Sequence, residues 1–167
     1  MKKSIYGFSK VRVIVTIIII GIIIAVLIPT FKALVFNDKI SKANTNAQDV
    51  YASAEKWLTD AKNSGTYSVS SINGDKLIFK SESAYSKKSA ITIDNNFVSM
   101  DLTSYLDKNF TGDWYAVVDA YTFKIEYALW SKNTIPDDKL KQIDSILTQQ
   151  KEFKPTNIIG CYPIAKQ

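Results

Sequence analysis

Few residues in this chain are placed to do chemistry. The junction Gly7-Phe8 stands just ahead of an apolar run from Val13 to Ile28, in which Thr16 is the one polar side chain and Gly21 the one glycine. That junction reads as a processing site. Elsewhere the chemical inventory is thin. The 167 residues include no His and a single Cys, Cys161. Without His, Ser-His-Asp and Cys-His arrangements are impossible, and the commonest general base and transition-metal ligand is missing. No Walker loop, GxGxxG or HExxH pattern is present.

Among the 16 Asp and Glu residues, Asp137-Asp138 is the one adjacent pair, and it stands where a helix N-terminus favours acid. Asp94-Asn95-Asn96 offers oxygen ligands suited to Ca²⁺ but lacks the rest of a binding loop, so it reads as a turn. Asn109-Phe110-Thr111 matches a glycosylation sequon, a three-residue pattern that is frequent by chance. Cys161, between Gly160 and Tyr162, reads as a small buried side chain, with an exposed thiol or pairing between chains as the alternatives. Trp114, Tyr115, Tyr121 and Trp130 read as core or sheet packing, with an adhesive aromatic surface as the alternative. The expectation is a chain that is not an enzyme and that carries no metal and no cofactor.

The elements that position these residues begin with the apolar run. Extended through Thr30 and Phe31 it is about nineteen residues, roughly 28 Å as a helix and close to a bilayer's hydrocarbon thickness. In lipid the backbone must satisfy itself, so helix is the one option for a single span, despite the many β-branched isoleucines. Gly21 and Pro29 are candidate points of loosening or kinking. Charge has the matching distribution. The formal net charge is +5, from 21 Lys and Arg against 16 Asp and Glu. Lys2, Lys3, Lys10, Arg12 and Lys32 account for the excess, and the remainder of the chain is balanced. Positive charge ahead of a span keeps that end in the cytoplasm, which puts the domain that follows outside the membrane. A neutral domain gives no support for nucleic acid as a partner. One Cys makes no internal disulfide, so the exported domain must be held by its own core.

Past Lys32 the helix is expected to continue to Lys62, with Ala47, Val50, Ala54, Trp57, Leu58 and Ala61 as its buried stripe and Asn63-Ser64-Gly65 as its stop. The period then shifts toward two. Tyr67–Ser70 and Lys76–Lys80 around Asn73-Gly74 read as a hairpin, and residues 81–89 as a polar loop. Ala90–Ile93 and Phe97-Val98 form a second short hairpin or a lead-in. Asp101 is placed to cap a short helix through Leu102, Tyr105 and Leu106. Trp114–Asp119 and Thr122–Ser131 are the strongest strands and read as an antiparallel pair. In the second, Phe123, Ile125, Tyr127 and Leu129 alternate with Lys124, Glu126, Ala128 and Trp130, which predicts one inward face and one mixed face. Pro136 opens a late helix carrying Leu140, Ile143, Ile146 and Leu147, and residues 153–163 close the chain as loop or edge strand.

Three readings compete for residues 1–30. A secretory signal needs a small-residue cleavage site after the apolar run, and Pro29-Thr30-Phe31-Lys32-Ala33 does not supply one. A plain uncleaved anchor is the second. The third is a leader cut before the hydrophobic segment. Gly7-Phe8-Ser9, the apolar helix, Gly21 and Ile28-Pro29 resemble the N-terminus of type IV pilins and type II secretion pseudopilins. Counting Phe8 as one, Gly21 falls at fourteen and Pro29 at twenty-two, the spacings of that family. The likeness is specific over residues 6–31. The lack of paired C-terminal cysteines, with Ala128–Ser131 and Gly160–Pro163, is similar to pilin-like proteins of Gram-positive bacteria.

The resemblance implies a leader of residues 1–7, a transmembrane and assembly helix at 8–31, and an extracytoplasmic α+β domain at 32–167, its helix packed on a small antiparallel sheet. It implies cleavage after Gly7, N-methylation of Phe8, and assembly of apolar helices into a homo- or hetero-oligomeric filament. The implied partners are a prepilin peptidase, other pilin subunits and the pilus or secretion machinery. At the fifth mature position the family usually has Glu, whereas this chain has Arg12, with Lys10 also basic. Like charge near the Phe8 amine in an apolar bundle is unfavourable by several kcal/mol if buried. The expectation is therefore a minor or specialised subunit of a pilus or pseudopilus, single-pass with its N-terminus cytoplasmic. The alternatives are an uncleaved membrane-anchored extracellular binding protein and a subunit of a DNA-uptake pilus.

Overall fold

The computed structural model describes residues 10–65, 76–83, 86–93, 96–135 and 158–163. The chain divides into two compact units, Met1–Asn37 and Asp38–Gln167. One helix, α1 (Lys10–Asn63), contributes to both. Six strands follow: β1 (Lys76–Lys80), β2 (Lys88–Ile93), β3 (Asn96–Asp101), β4 (Asp113–Asp119), β5 (Ile125–Ser131) and β6 (Ile159–Tyr162). The fold class is α+β, one helix on an antiparallel sheet.

In the first unit Gly21 and Pro29 both lie inside α1 and neither ends it. Proline removes one backbone donor, but its fixed φ is compatible with helix. Among the side chains described, no helix is long and apolar enough to cross a membrane. The run Val13–Ile28 falls in the stretch of α1 where, Ile18 and Ile20 apart, only the backbone is described. Ile18, Ile20, Phe31, Leu34 and Val35 are exposed.

In the second unit α1 lays down a buried stripe of Ala43, Ala47, Val50, Ala54, Leu58 and Ala61, three or four residues apart. The stripe expected from periodicity is present and reaches one turn further back, to Ala43. Trp57 is half-buried at its edge, its ring centroid 6.4 Å from that of Phe79. The helix stops where the Asn63-Ser64-Gly65 signal places the stop. Ser64 N–H donates to the Asp60 carbonyl at 2.9 Å, and Gly65 takes φ +69°, the left-handed C-cap conformation that costs glycine least.

The main sheet has the order β1-β4-β5-β6, and β2-β3 is a separate hairpin. Lys76–Lys80 is a strand as expected, but its partner is β4, with Ile78 opposite Val117. Tyr67–Ser70, the partner expected from Asn73-Gly74, lies outside the described residues, as does the late helix expected from Pro136. The hairpin of β2 and β3 replaces the end of the expected polar loop, since β2 already starts at Lys88. The short helix expected after Asp101 is a single turn. Asp101 Oδ1 accepts the Thr103 N–H at 2.9 Å, and the Leu102 carbonyl takes the N–H groups of both Tyr105 and Leu106. Residues 158–163 close the chain through edge strand β6, paired to β5.

The expected single inward face of β5 is a correction. Ile125, Ala128, Leu129 and Ser131 are all buried, because both faces of the sheet are covered. Leu77, Phe79, Trp114, Ala116, Val118, Ile125 and Ala128 pack with α1, while Tyr115, Leu129, Ile135, Ile159 and Cys161 form a second cluster. A register shift between Val117 and Val118 breaks the strict alternation. Trp114 and Tyr115 are therefore core, as read from the sequence, and Tyr121 is exposed.

Buried polar groups tie the segments together. Asp113 is 1% exposed. It accepts hydrogen bonds from Ser81 Oγ and from the Ile135 N–H, and Ser81 Oγ in turn accepts the Trp114 N–H at 3.1 Å. Tyr115 Oη donates to the Ile135 carbonyl at 2.6 Å, so Ile135 is held from both sides.

Candidate functional site

Gly7 and Phe8 lie outside the described residues. Arg12 falls in the first turn of α1, where the backbone alone is described. Asp94, Asn95 and the Asp137-Asp138 pair also lie outside, while Asn96 begins β3. The sequon sits on a turn, with exposed Asn109 donating its backbone N–H to Asp107 Oδ1 at 2.7 Å. Cys161 is a buried side chain on β6, as expected, and its Sγ donates to the Pro163 carbonyl at 3.7 Å.

The structure instead assembles a site within the second unit, between α1 and the β4–β5 turn. Thr122–Lys124 were expected in a strand, and they are turn because Asp119 captures the chain. Its Oδ1 accepts the N–H of Tyr121 at 2.9 Å, the N–H of Thr122 at 2.6 Å and the hydroxyl of Thr122 at 2.9 Å. The Phe123 N–H then reaches back to the Asp119 carbonyl, and the Asp119 N–H to the Lys124 carbonyl, both at 2.9 Å. These donors, Thr122 first, hold the Asp119 carboxyl below its ordinary pKa, with Lys76 adding to the effect.

The turn closes with Phe123 at φ +53°. For a bulky non-glycine residue this is a conformational outlier, costing on the order of 1–3 kcal/mol. It brings Phe123 and Lys124 opposite Tyr51, Glu55, Thr59 and Lys62 of α1, around a cleft of about 340 Å³. The buried side chains of Leu58 and Ile125 also line it. Tyr51 is half-buried, its hydroxyl 3.5 Å from the Ile125 carbonyl and its ring edge-on to Tyr162 at 5.2 Å. Burial, then Glu55 and Tyr162, raise its phenol pKa, so the group is a neutral donor near pH 7.

This cleft was not read from the sequence. Periodicity marks only the buried stripe of the helix, to which Glu55 and Lys62 do not belong, and it extends the strand over Thr122–Lys124. The available signal was the i, i+4 spacing of Tyr51, Glu55 and Thr59 at the border of the buried stripe. No protein-family model, no curated protein and no solved structure matches this chain.

Proposed function

We propose that this chain is a structural subunit of a type IV pilus or type II secretion-like pseudopilus. On this reading it is cut between Gly7 and Phe8, methylated on Phe8, held in the membrane by residues 8–31, and assembled through that helix. The carrying observation is the apolar surface of the first unit: Ile18 and Ile20 at 55% and 50% exposure, with Phe31 at 70% and Leu34 at 62%. A helix that exposes so many large apolar side chains calls for lipid or like helices around it. Lipid tails and neighbouring apolar helices are similar surroundings, so a subunit can pass from one to the other without a large transfer penalty. The second unit supports the same reading, since α1 continues there as the amphipathic helix of a small sheet domain. Prepilin peptidase, other pilins and the assembly machinery are the partners this assigns. Arg12, where the resemblance leads one to expect Glu, fits a minor or specialised subunit.

The test is the N-terminus of the membrane-extracted chain. Intact mass and N-terminal sequencing should give a start at N-methylated Phe8, and Gly7→Val should leave the precursor uncut. A chain that keeps Met1 or Lys2 when co-expressed with a prepilin peptidase would refute the reading and leave the uncleaved anchored protein in its place.

A further inference from the structure

We infer that the cleft between α1 and the β4–β5 turn is a binding site for a singly anionic saccharide unit, a uronate-type sugar. The inference concerns the second unit alone and stands apart from the assembly reading.

Four observations carry it. First, the cleft, at about 340 Å³, falls at the small end of small-molecule sites, which run from about 300 to 1,000 Å³. Second, its apolar lining comes from ring and branched groups, half-buried Tyr51 and Phe123 with buried Leu58 and Ile125. Aromatic side chains in a lining suit the C–H groups of a sugar ring. Third, its polar lining mixes donors and acceptors, with the Glu55 carboxylate as acceptor, the Lys62 and Lys124 ammonium groups as donors, and the Thr59 hydroxyl as either. Sugar hydroxyls both donate and accept, and a wall of that kind serves them where a purely apolar or purely cationic wall would not. Fourth, the charge does not balance. Among the lining residues one carboxylate, Glu55, stands against two ammonium groups, Lys62 of α1 and Lys124 of the turn, a surplus of one positive charge that a singly anionic ligand would match. A doubly charged phosphate would overshoot that balance.

Backbone strain points to the same place. Phe123 is the one non-glycine residue with positive φ among the described residues, and it lines this cleft. The Asp119 hydrogen bonds fix the preceding residues of the turn, Tyr121 and Thr122, the second of which also lines the cleft. Such strain persists where surrounding structure over-determines it, and it gathers at binding and switch regions.

The test is titration of the full chain in detergent micelles with D-galacturonate and with D-galactose, its neutral counterpart, by calorimetry and saturation-transfer NMR. Saturable galacturonate binding at least tenfold tighter than galactose is expected. Replacing both exposed lysines, Lys62→Ala with Lys124→Ala, should weaken galacturonate at least tenfold and galactose by a clearly smaller factor, since galactose loses hydroxyl donors but no ion pair. The thermal midpoint of the double variant, matched to the parent, checks that the fold is intact, and Lys124→Gln alone gives a milder form of the same loss. Three results would overturn the inference: no saturable binding of galacturonate, equal affinity for both sugars, or galacturonate binding that ignores the lysine substitutions. Binding of an acetylated glutamyl peptide with no binding of galacturonate would also overturn it, in favour of a peptide site.

Discussion

The side-chain Oδ1 of Asn44 accepts the backbone N–H of Cys161 at 3.0 Å, across 117 residues of sequence. One residue away, Gly160 lies so close to the Ala43 carbonyl that a Cβ there would collide with backbone. The last strand thus reads the helix by its backbone, through a small residue on each side and one amide. Gly160→Ala should lower stability by about 1–3 kcal/mol, because the atom it meets is main chain and cannot rotate away. Asn44→Ala leaves a part-buried N–H unpaired and should cost about 1–3 kcal/mol. Urea unfolding of each variant, compared at unchanged m-value, checks both.

Phe79 and Trp57 form a ring pair of unequal burial. Phe79 is 1% exposed and Trp57 is only half-buried. Phe79→Ala should cost about 3–5 kcal/mol, the range for a fully buried aromatic, and Trp57→Ala clearly less. Equal losses in a denaturant titration would mean that Trp57 is as buried in solution as Phe79.

Asp113 is buried and is held by neutral donors, the Ser81 hydroxyl and the Ile135 N–H, and it joins the end of β1, the start of β4 and the segment at Ile135. Asp113→Ala removes both acceptors at once and should destabilise by about 1–3 kcal/mol for each donor left unpaired. Ser81→Ala also leaves two buried groups without partners, Asp113 Oδ1 and the Trp114 N–H, and should destabilise by a comparable amount, although it keeps the Ile135 bond. Thermal unfolding of the two variants side by side checks this, and a Ser81→Ala loss well below that of Asp113→Ala would show that the Ser81 bonds contribute little.

Asp119 and Asp101 are both held below the ordinary carboxylate range, each mainly by the residue it caps, Thr122 and Thr103. A carboxyl whose folded pKa is depressed stabilises the fold above its unfolded value, about 3.9, and that contribution is lost as pH falls through the folded value. Stability should therefore decline on acidification below about pH 4. Asp119→Asn keeps the acceptor oxygen but removes the titration, so its thermal midpoint should vary less between pH 5 and pH 2 than the parent's.

If the chain assembles as proposed, Arg12 limits how it does so. If many copies stacked as in a major pilin, each would bring unpaired positive charge near the Phe8 amine and Lys10, at a penalty of several kcal/mol per buried ion. Few copies per filament are expected for the parent chain, and Arg12→Glu should raise incorporation. The measurement is subunit stoichiometry in sheared filaments. A parent chain that proves abundant, with Arg12→Glu abolishing assembly, would show that Arg12 has an acidic partner on another subunit.

Local signals in the chain determined its elements. The stripe through Val50, Ala54 and Leu58 carries helical periodicity, the apolar run has helix as its one option for a single span in lipid, and Asn63-Ser64-Gly65 supplies the left-handed stop, so α1 was legible almost to the residue. Trp114–Asp119 was legible as a strand for the same reason: β-branched and aromatic side chains favour extended backbone wherever they fall. Tertiary structure decided what no window of sequence contains. β1 took its partner from far along the chain, β4, with Lys76 opposite Asp119 and Lys80 opposite Tyr115. Asp119 shortened β5 from its N-terminal end by drawing Thr122 into a turn, and so placed Phe123 and Lys124 across from Tyr51 and Lys62. Periodicity depends on neighbours along the chain. Pairing, bulges and clefts depend on which distant surfaces meet, and that is settled only when both layers close on one core.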